Sequence, residues 1–169
     1  DSEKIDGAEF DLFKAKLYAF TESSSKTINR YSIKEDSSAK YWALAIGYSN
    51  IGDFKSAYSN LNKSKSYGLK DIWYFDMMGQ FLYQESKLKE SIDFYLKSYN
   101  LGNKSWILDF QIAESYFALK DSSALDYYFK ALSKFDKFNY TLKRISDFYA
   151  QDGQMTIAHL YIAKYALKQ

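Results

Sequence analysis

His159 is the single histidine among 169 residues, and the chain has no cysteine. Histidine is the side chain type that titrates near neutral pH without help, so His159 is the first candidate for acid–base work. It stands beside Ala158 in a helical stretch, where packing or the surface is the expected role, and a triad needs a nucleophile and a carboxylate held around it. Without thiols, zinc–cysteine sites, iron–sulfur clusters and disulfides are excluded, and one histidine nearly excludes a histidine-built metal site. The seven glycines are isolated from one another, so no glycine-rich phosphate loop exists. Catalysis, cofactors and metals are therefore not expected. The 23 basic and 21 acidic residues are scattered evenly and only Arg30 and Arg144 are arginine, which leaves no footprint for nucleic acid. What remains is contact chemistry: 17 Tyr, 13 Phe and 3 Trp make 20% of the chain. Aromatics fill cores first, and where they are exposed they anchor binding partners.

The elements that would position these rings are helices. There is no Pro and no Val, and Thr is scarce, so the helix breaker and the stiff strand formers are both depleted. No apolar run approaches the roughly 20 residues that span a bilayer, so insertion into a membrane is not expected. The chain begins at Asp1 rather than Met, which points to trimming or to removal of an export signal; a place in the cell envelope is expected ahead of the cytoplasm.

The helices repeat. Small residues recur as Ala57, Ser91, Ala124 and Ala158, a second small series follows as Ser64, Ser98 and Ala131, and Lys63, Lys97, Lys130 and Lys164 keep the same spacing of 33 or 34. Upstream run Leu44, Met78, Ile112 and Ile145, each followed by a small residue (Ala45, Gly79, Ala113, Ser146) and, three further on, by Tyr48, Leu82, Tyr116 and Tyr149. The one-residue offset between the series falls between Phe117 and Ala124, as a deletion in the third turn. Apolar positions at i, i+4 and i+7 lie on one helix face, and small residues belong where two backbones approach closely. Gly52 and Gly153 punctuate the turns, and Gly68 and Gly102 close second helices.

These residues resemble the tetratricopeptide repeat (TPR) family. Its pattern of large, small, Tyr, Gly turn, then small, aromatic and small residues is matched by Leu44-Ala45, Tyr48, Gly52-Asp53-Phe54, Ala57, Leu61 and Ser64 and by three successors. Departures are Tyr41, Phe75, Asp109 and Leu142 where the family has Trp, and Leu69, Asn103 and Asp136 where it has Pro. The resemblance implies an all-α fold, a right-handed α-solenoid of antiparallel helix pairs. Four repeats are expected over about 38–70, 71–104, 105–138 and 139–169. Residues 1–37 form an N-terminal helical cap or a degenerate repeat, with Phe10, Phe13, Leu17 and Phe20 on one face of its first helix.

In this family the first helices line a concave groove that takes partner segments. Carried over, the groove positions are Trp42, Ile46, Trp73, Asp76, Met77, Gln80, Tyr83, Phe110, Glu114, Phe117, Arg144 and Asp147. Ser49, Asn50, Gln111 and Lys143 share these faces. The positions that clamp chaperone C-termini elsewhere in the family hold Trp42, Ile46, Tyr83, Ile107 and Gln111, so that clamp is absent. The resemblance implies a non-enzymatic adaptor or scaffold for a protein or peptide partner. A carrier of a small hydrophobic ligand and a self-assembling structural module are the alternatives. The last helix breaks the pattern. Its outward positions read Leu160, Ala163 and Leu167 where earlier repeats read Ser59, Asn62 and Ser66, or Asp93, Leu96 and Asn100, and Tyr165 replaces the small residue, so Leu160, Ile162, Tyr165 and Leu167 are expected to form an association surface, including for a homo-oligomer.

Overall fold

A computed structural model describes residues 7–167, except the side chains of Ala8, Glu9, Lys16 and Phe20. Phe20, expected on the apolar face of the first helix, thus lies outside the described side chains. The described residues form ten helices and no strand: α1 (Gly7–Thr21), α2 (Ser24–Ser32), α3 (Ser38–Asn50), α4 (Phe54–Ser66), α5 (Asp71–Gln84), α6 (Leu88–Asn100), α7 (Trp106–Ala118), α8 (Ser123–Lys134), α9 (Tyr140–Gln151) and α10 (Met155–Ala166). They cluster into two compact units, Asp1–Met77 and Met78–Gln169, with α5 running across the boundary.

Each tight turn between paired helices closes in the same way. The residue after the turn donates its N–H to the Tyr48, Leu82, Tyr116 or Tyr149 carbonyl, at 2.8–3.0 Å. The preceding residue, Gly52, Ser86, Lys120 or Gly153, has φ between 57° and 80°. This is a Schellman closure with a left-handed residue at its centre. Ser86 and Lys120 pay a Cβ clash there that the two glycines avoid. Ser86→Gly and Lys120→Gly are expected each to stabilise the protein by roughly 1 kcal/mol, read as a rise in thermal midpoint; an unchanged or lower midpoint would contradict the turn assignment.

The third turn also shows how the missing residue is absorbed. Ala57, Ser91 and Ala158 donate their N–H groups four residues back, to Asp53, Lys87 and Gln154, whereas Ala124 donates three back, to Asp121. The first turn of α8 is wound more tightly, and Asp121 accepts the Ser123 N–H at 2.8 Å.

The small residues meet as pairs, one from each helix. In the second unit Ser91 Oγ donates to the Gly79 carbonyl at 2.8 Å, and Ser146 Oγ donates to the Ala158 carbonyl at 2.7 Å. These are the same two positions with the hydroxyl on opposite helices, so the close approach is tied by a hydrogen bond from either side. In the first unit Ser64 Oγ donates to the Ser38 carbonyl at 2.7 Å. Asp109, which stands where the resembled family has Trp, is fully buried and paired with Lys134 at 2.5 Å.

In the first unit α1 and α2 both pack on α3, and α2 stands in register with α4. Ser23 is the N-cap of α2 as Asp53 is of α4, and Thr27 and Tyr31 are buried as Ala57 and Leu61 are, all at a spacing of 30. The spacing is short because α2 has 9 residues against 13 in α4, one helical turn fewer. Only the small side of α1 packs inward: Ala15 and Ala19 are buried, whereas Phe10, Phe13 and Leu17 are exposed. Phe10, Phe13 and Leu17, read from the sequence as one face of the helix, are thus not part of the packing of the unit.

Candidate functional site

In the second unit the groove positions converge on one ion pair. Arg144, on α9, donates from Nε and Nη2 to the two carboxylate oxygens of Glu114, on α7, at 2.7 and 2.9 Å. The guanidinium carbon sits 3.9 Å from the centre of the Phe117 ring, which fixes the plane of the fork from below. From α8 the buried Tyr128 hydroxyl donates to the same Glu114 oxygen that accepts from Nε. Glu114 therefore closes three helices around one carboxylate.

The electrostatics follow from this arrangement. Burial first, and then the Glu114 charge, push the Tyr128 hydroxyl far above the ordinary tyrosine value. Burial works against the charge of Arg144, but the hydrogen bonds to Glu114 more than offset it, so the guanidinium is held ionised. Tyr83, on α5, is raised by burial and by the nearby Glu114 carboxylate. Asp147 lies 3.4 Å from Arg144 Nη1 and 3.0 Å from Lys143 Nζ, and these two side chains keep more exposure than the Glu114–Arg144 core.

Aromatic rings surround the charges. Phe110 contacts Tyr128, Phe138 and Tyr140 at centroid distances of 5.7, 5.1 and 6.1 Å, and Phe117 contacts Phe148 at 6.1 Å. Tyr128 is buried, Tyr140 is exposed and the other rings are half-buried. The site offers a rigid arginine fork, a partly open carboxylate and flat apolar walls. It does not offer a free acid–base pair, because Glu114 and Asp147 both face Arg144. His159 is exposed on α10, away from any of these groups' hydrogen bonds.

Helix pairing of this kind is found in solved structures. The chain superposes on MamA AMB-1 with a TM-score of 0.69 at 15% identity, covering 95% of this chain and 97% of that one. For MamA MSR-1 the TM-score is 0.71 at 16% identity, with 95% of each chain covered. For pilF of Pseudomonas aeruginosa it is 0.74 at 15% identity, with 96% of this chain and 76% of that one covered. Both are tetratricopeptide-repeat proteins. The chain has the tetratricopeptide-repeat fold. At such identities the likeness is one of fold, an all-α solenoid of antiparallel helix pairs. No family model matches the sequence, and no curated protein matches it.

Within the TPR fold the groove positions carried over from the sequence divide. Gln80, Tyr83, Phe110, Glu114, Phe117, Arg144 and Asp147 lie in the second unit and are all half-buried. In the first unit Trp73 and Asp76 are half-buried too. Trp42, Ile46 and Met77 are corrections: they are 3%, 1% and 4% exposed and present no groove surface. For Trp42 and Ile46 the cause is α3 itself, which packs against α1, α2 and α4 and buries nine of its thirteen residues. Met77 shares its helix position with Ala43, Gln111 and Arg144; this position turns into the packing, as the Arg144 side chain does toward Glu114. Tyr128 and Tyr140 escaped the sequence reading, since one sits on a second helix and the other at the start of α9. On α10, Leu160, Ile162 and Leu167 are exposed and Tyr165 is half-buried.

Proposed function

We propose that the protein is a non-enzymatic TPR adaptor that binds a segment of a partner protein against the α7–α9 face. The contacts, all in the second unit, are Gln80, Tyr83, Phe110, Glu114, Phe117, Arg144 and Asp147. The observation that carries this reading is the locked arginine among half-buried rings. Its fork is already ordered by Glu114 and Phe117, so a partner that meets it loses little side-chain freedom on binding. TPR folds usually serve protein partners, and MamA and pilF share the fold. No helix among the described residues is long and apolar enough to cross a membrane. The even charge, with Arg144 consumed by Glu114, favours a protein partner over nucleic acid.

The test is capture from the native source, followed by titration of the retained protein. Tyr83→Ala and Tyr140→Ala are expected to weaken binding by roughly thirtyfold, the effect of losing an anchor worth about 2 kcal/mol, while the helical spectrum stays unchanged. Tyr140 is exposed and touches only the edge of the ring cluster, at Phe110 and Phe138, so its loss leaves the helices folded. Wild-type affinity in both variants would move the site off this face.

A further inference from the structure

In the first unit the end of α2, the segment that follows it and one side of α1 enclose a cleft of about 690 Å³ beside the start of α3. Cavities of this size hold small molecules. Tyr31 and Ala39 line it, and each is only 7% exposed. The Tyr31 hydroxyl makes no hydrogen bond among the described residues: burial raises its pKa, and Tyr18, Arg30, Glu22 and Asp11 act on it through charge alone. A buried tyrosine ordinarily finds a partner for its hydroxyl. Tyr128, at the corresponding position of the third repeat, finds a carboxylate, since its hydroxyl donates to Glu114. Tyr31 is the same buried donor facing a cleft, with the acceptor missing.

The charges around the cleft divide into committed and uncommitted groups. Asp36 accepts from Lys40 at 2.9 Å and from the Tyr67 hydroxyl at 3.3 Å, so this pair is spent within the protein. Arg30 lies 4.4 Å from the centre of the Tyr18 ring and gives Nε and Nη2 to Glu22, which leaves Nη1 without a partner among the described residues. Lys34, Asp11 and Glu35 also line the cleft and hold no ion pair among the described residues. Both signs are therefore on offer. An oxyanion is the strongest acceptor for the Tyr31 proton, and Arg30 and Lys34 favour it, but Asp11 and Glu35 repel a ligand that is only an anion. A ligand that is only a cation leaves Tyr31 and Arg30 unanswered. A molecule that carries one of each satisfies both sets.

We propose that this cleft binds a small zwitterion, a free amino acid or a dipeptide, with its carboxylate on the Tyr31 hydroxyl and Arg30 Nη1 and its ammonium group on Asp11. The ring of Tyr18 holds the Arg30 plane in place, as Phe117 holds that of Arg144, so the guanidinium is ordered before the ligand arrives. The site is independent of the groove reading, since every residue that lines it belongs to the first unit.

The test is a heteronuclear NMR titration of the whole chain with alanine and with dialanine, each to about 20 mM, enough to read a millimolar dissociation constant. At least one of the two is expected to shift the resonances of residues 30–40 to saturation, and which one does so tells a free amino acid from a peptide. Acetate and methylammonium, which carry one charge each, are expected to bind about tenfold more weakly or worse. Tyr31→Phe is expected to lose about tenfold or more in affinity while its thermal midpoint stays at that of the wild type, because the hydroxyl ties nothing within the described protein. Asp11→Asn is expected to lose affinity for the zwitterion and not for acetate. No saturable shift with either probe, acetate bound as tightly as the zwitterion, or wild-type affinity in Tyr31→Phe would each overturn the proposal.

Discussion

Glu114→Ala is expected to destabilise the protein by about 3 kcal/mol, the low end of the range for breaking a buried pair because Arg144 retains some contact with water. Two groups lose their acceptor together. The Arg144 fork, with a side chain only 16% exposed, keeps the 3.4 Å contact to Asp147 and a hydrogen bond to the Tyr128 oxygen, neither of which replaces the carboxylate, and the buried Tyr128 hydroxyl loses the acceptor of its own proton. The cost is that of desolvated donors left unsatisfied, and it exceeds what forming the pair contributes. Two further variants separate these terms. Glu114→Gln preserves an acceptor for Tyr128 and should fall between the wild type and Glu114→Ala. Glu114→Met/Arg144→Met removes both charges and should recover part of the loss, the remainder being the buried Tyr128 hydroxyl still without its acceptor. The measurement is the urea midpoint at unchanged slope. A loss below about 1 kcal/mol for Glu114→Ala would mean that the pair behaves as a surface ion pair.

Gly79→Leu should be comparably damaging, at about 3 kcal/mol, and Gly79→Ala somewhat less so. Helix propensity alone predicts the opposite sign, since replacing a mid-helix glycine by alanine gains roughly 0.5–1 kcal/mol. Packing decides against it. A Cβ on Gly79 would lie 2.5, 2.6 and 2.8 Å from three carbons of the Tyr95 ring, and Tyr95 is 2% exposed. The ring cannot retreat without opening its contacts with Leu108 and Ile112, and the helices cannot part without stretching the bond from Ser91 to the Gly79 carbonyl. Tyr95→Leu placed on top of Gly79→Ala should recover part of the loss, because the two residues compete for the same space. A gain in midpoint for Gly79→Ala, or additivity of the two changes, would contradict the contact.

Helix pairing was legible because its cause is local and periodic. Two helices can approach closely only where both carry small residues, so Ala45, Gly79, Ala113 and Ser146 and their partners on the second helices mark the architecture without any knowledge of what surrounds it. The deletion in the third turn was legible for the same reason. The left-handed backbone at Ser86 and Lys120 was hidden, because neither residue type announces it. The register of the first two helices was hidden as well: they were read as a cap or a degenerate repeat, but a lost helical turn changes the spacing between α2 and α4 to 30, and a search at 34 passes over it.

Periodicity tells which residues share a face, and that is all the sequence by itself determined about the candidate site: Phe110, Glu114 and Phe117 on one helix, Arg144 and Asp147 on the next. What lies opposite each face was decided by tertiary structure. Trp42 and Ile46 were expected to be open and are buried because three helices enclose α3, whereas Phe10, Phe13 and Leu17, read only as sharing a helix face, stand exposed. Glu114, expected only as a groove position, is the partner of Arg144 and Tyr128. The difference is physical: a helix face follows from the 3.6-residue turn of one segment, but burial and charge pairing depend on segments far along the chain. Arg144 and Glu114 stand 30 residues apart, and only the packing of α9 against the α7–α8 pair brings the fork onto the carboxylate.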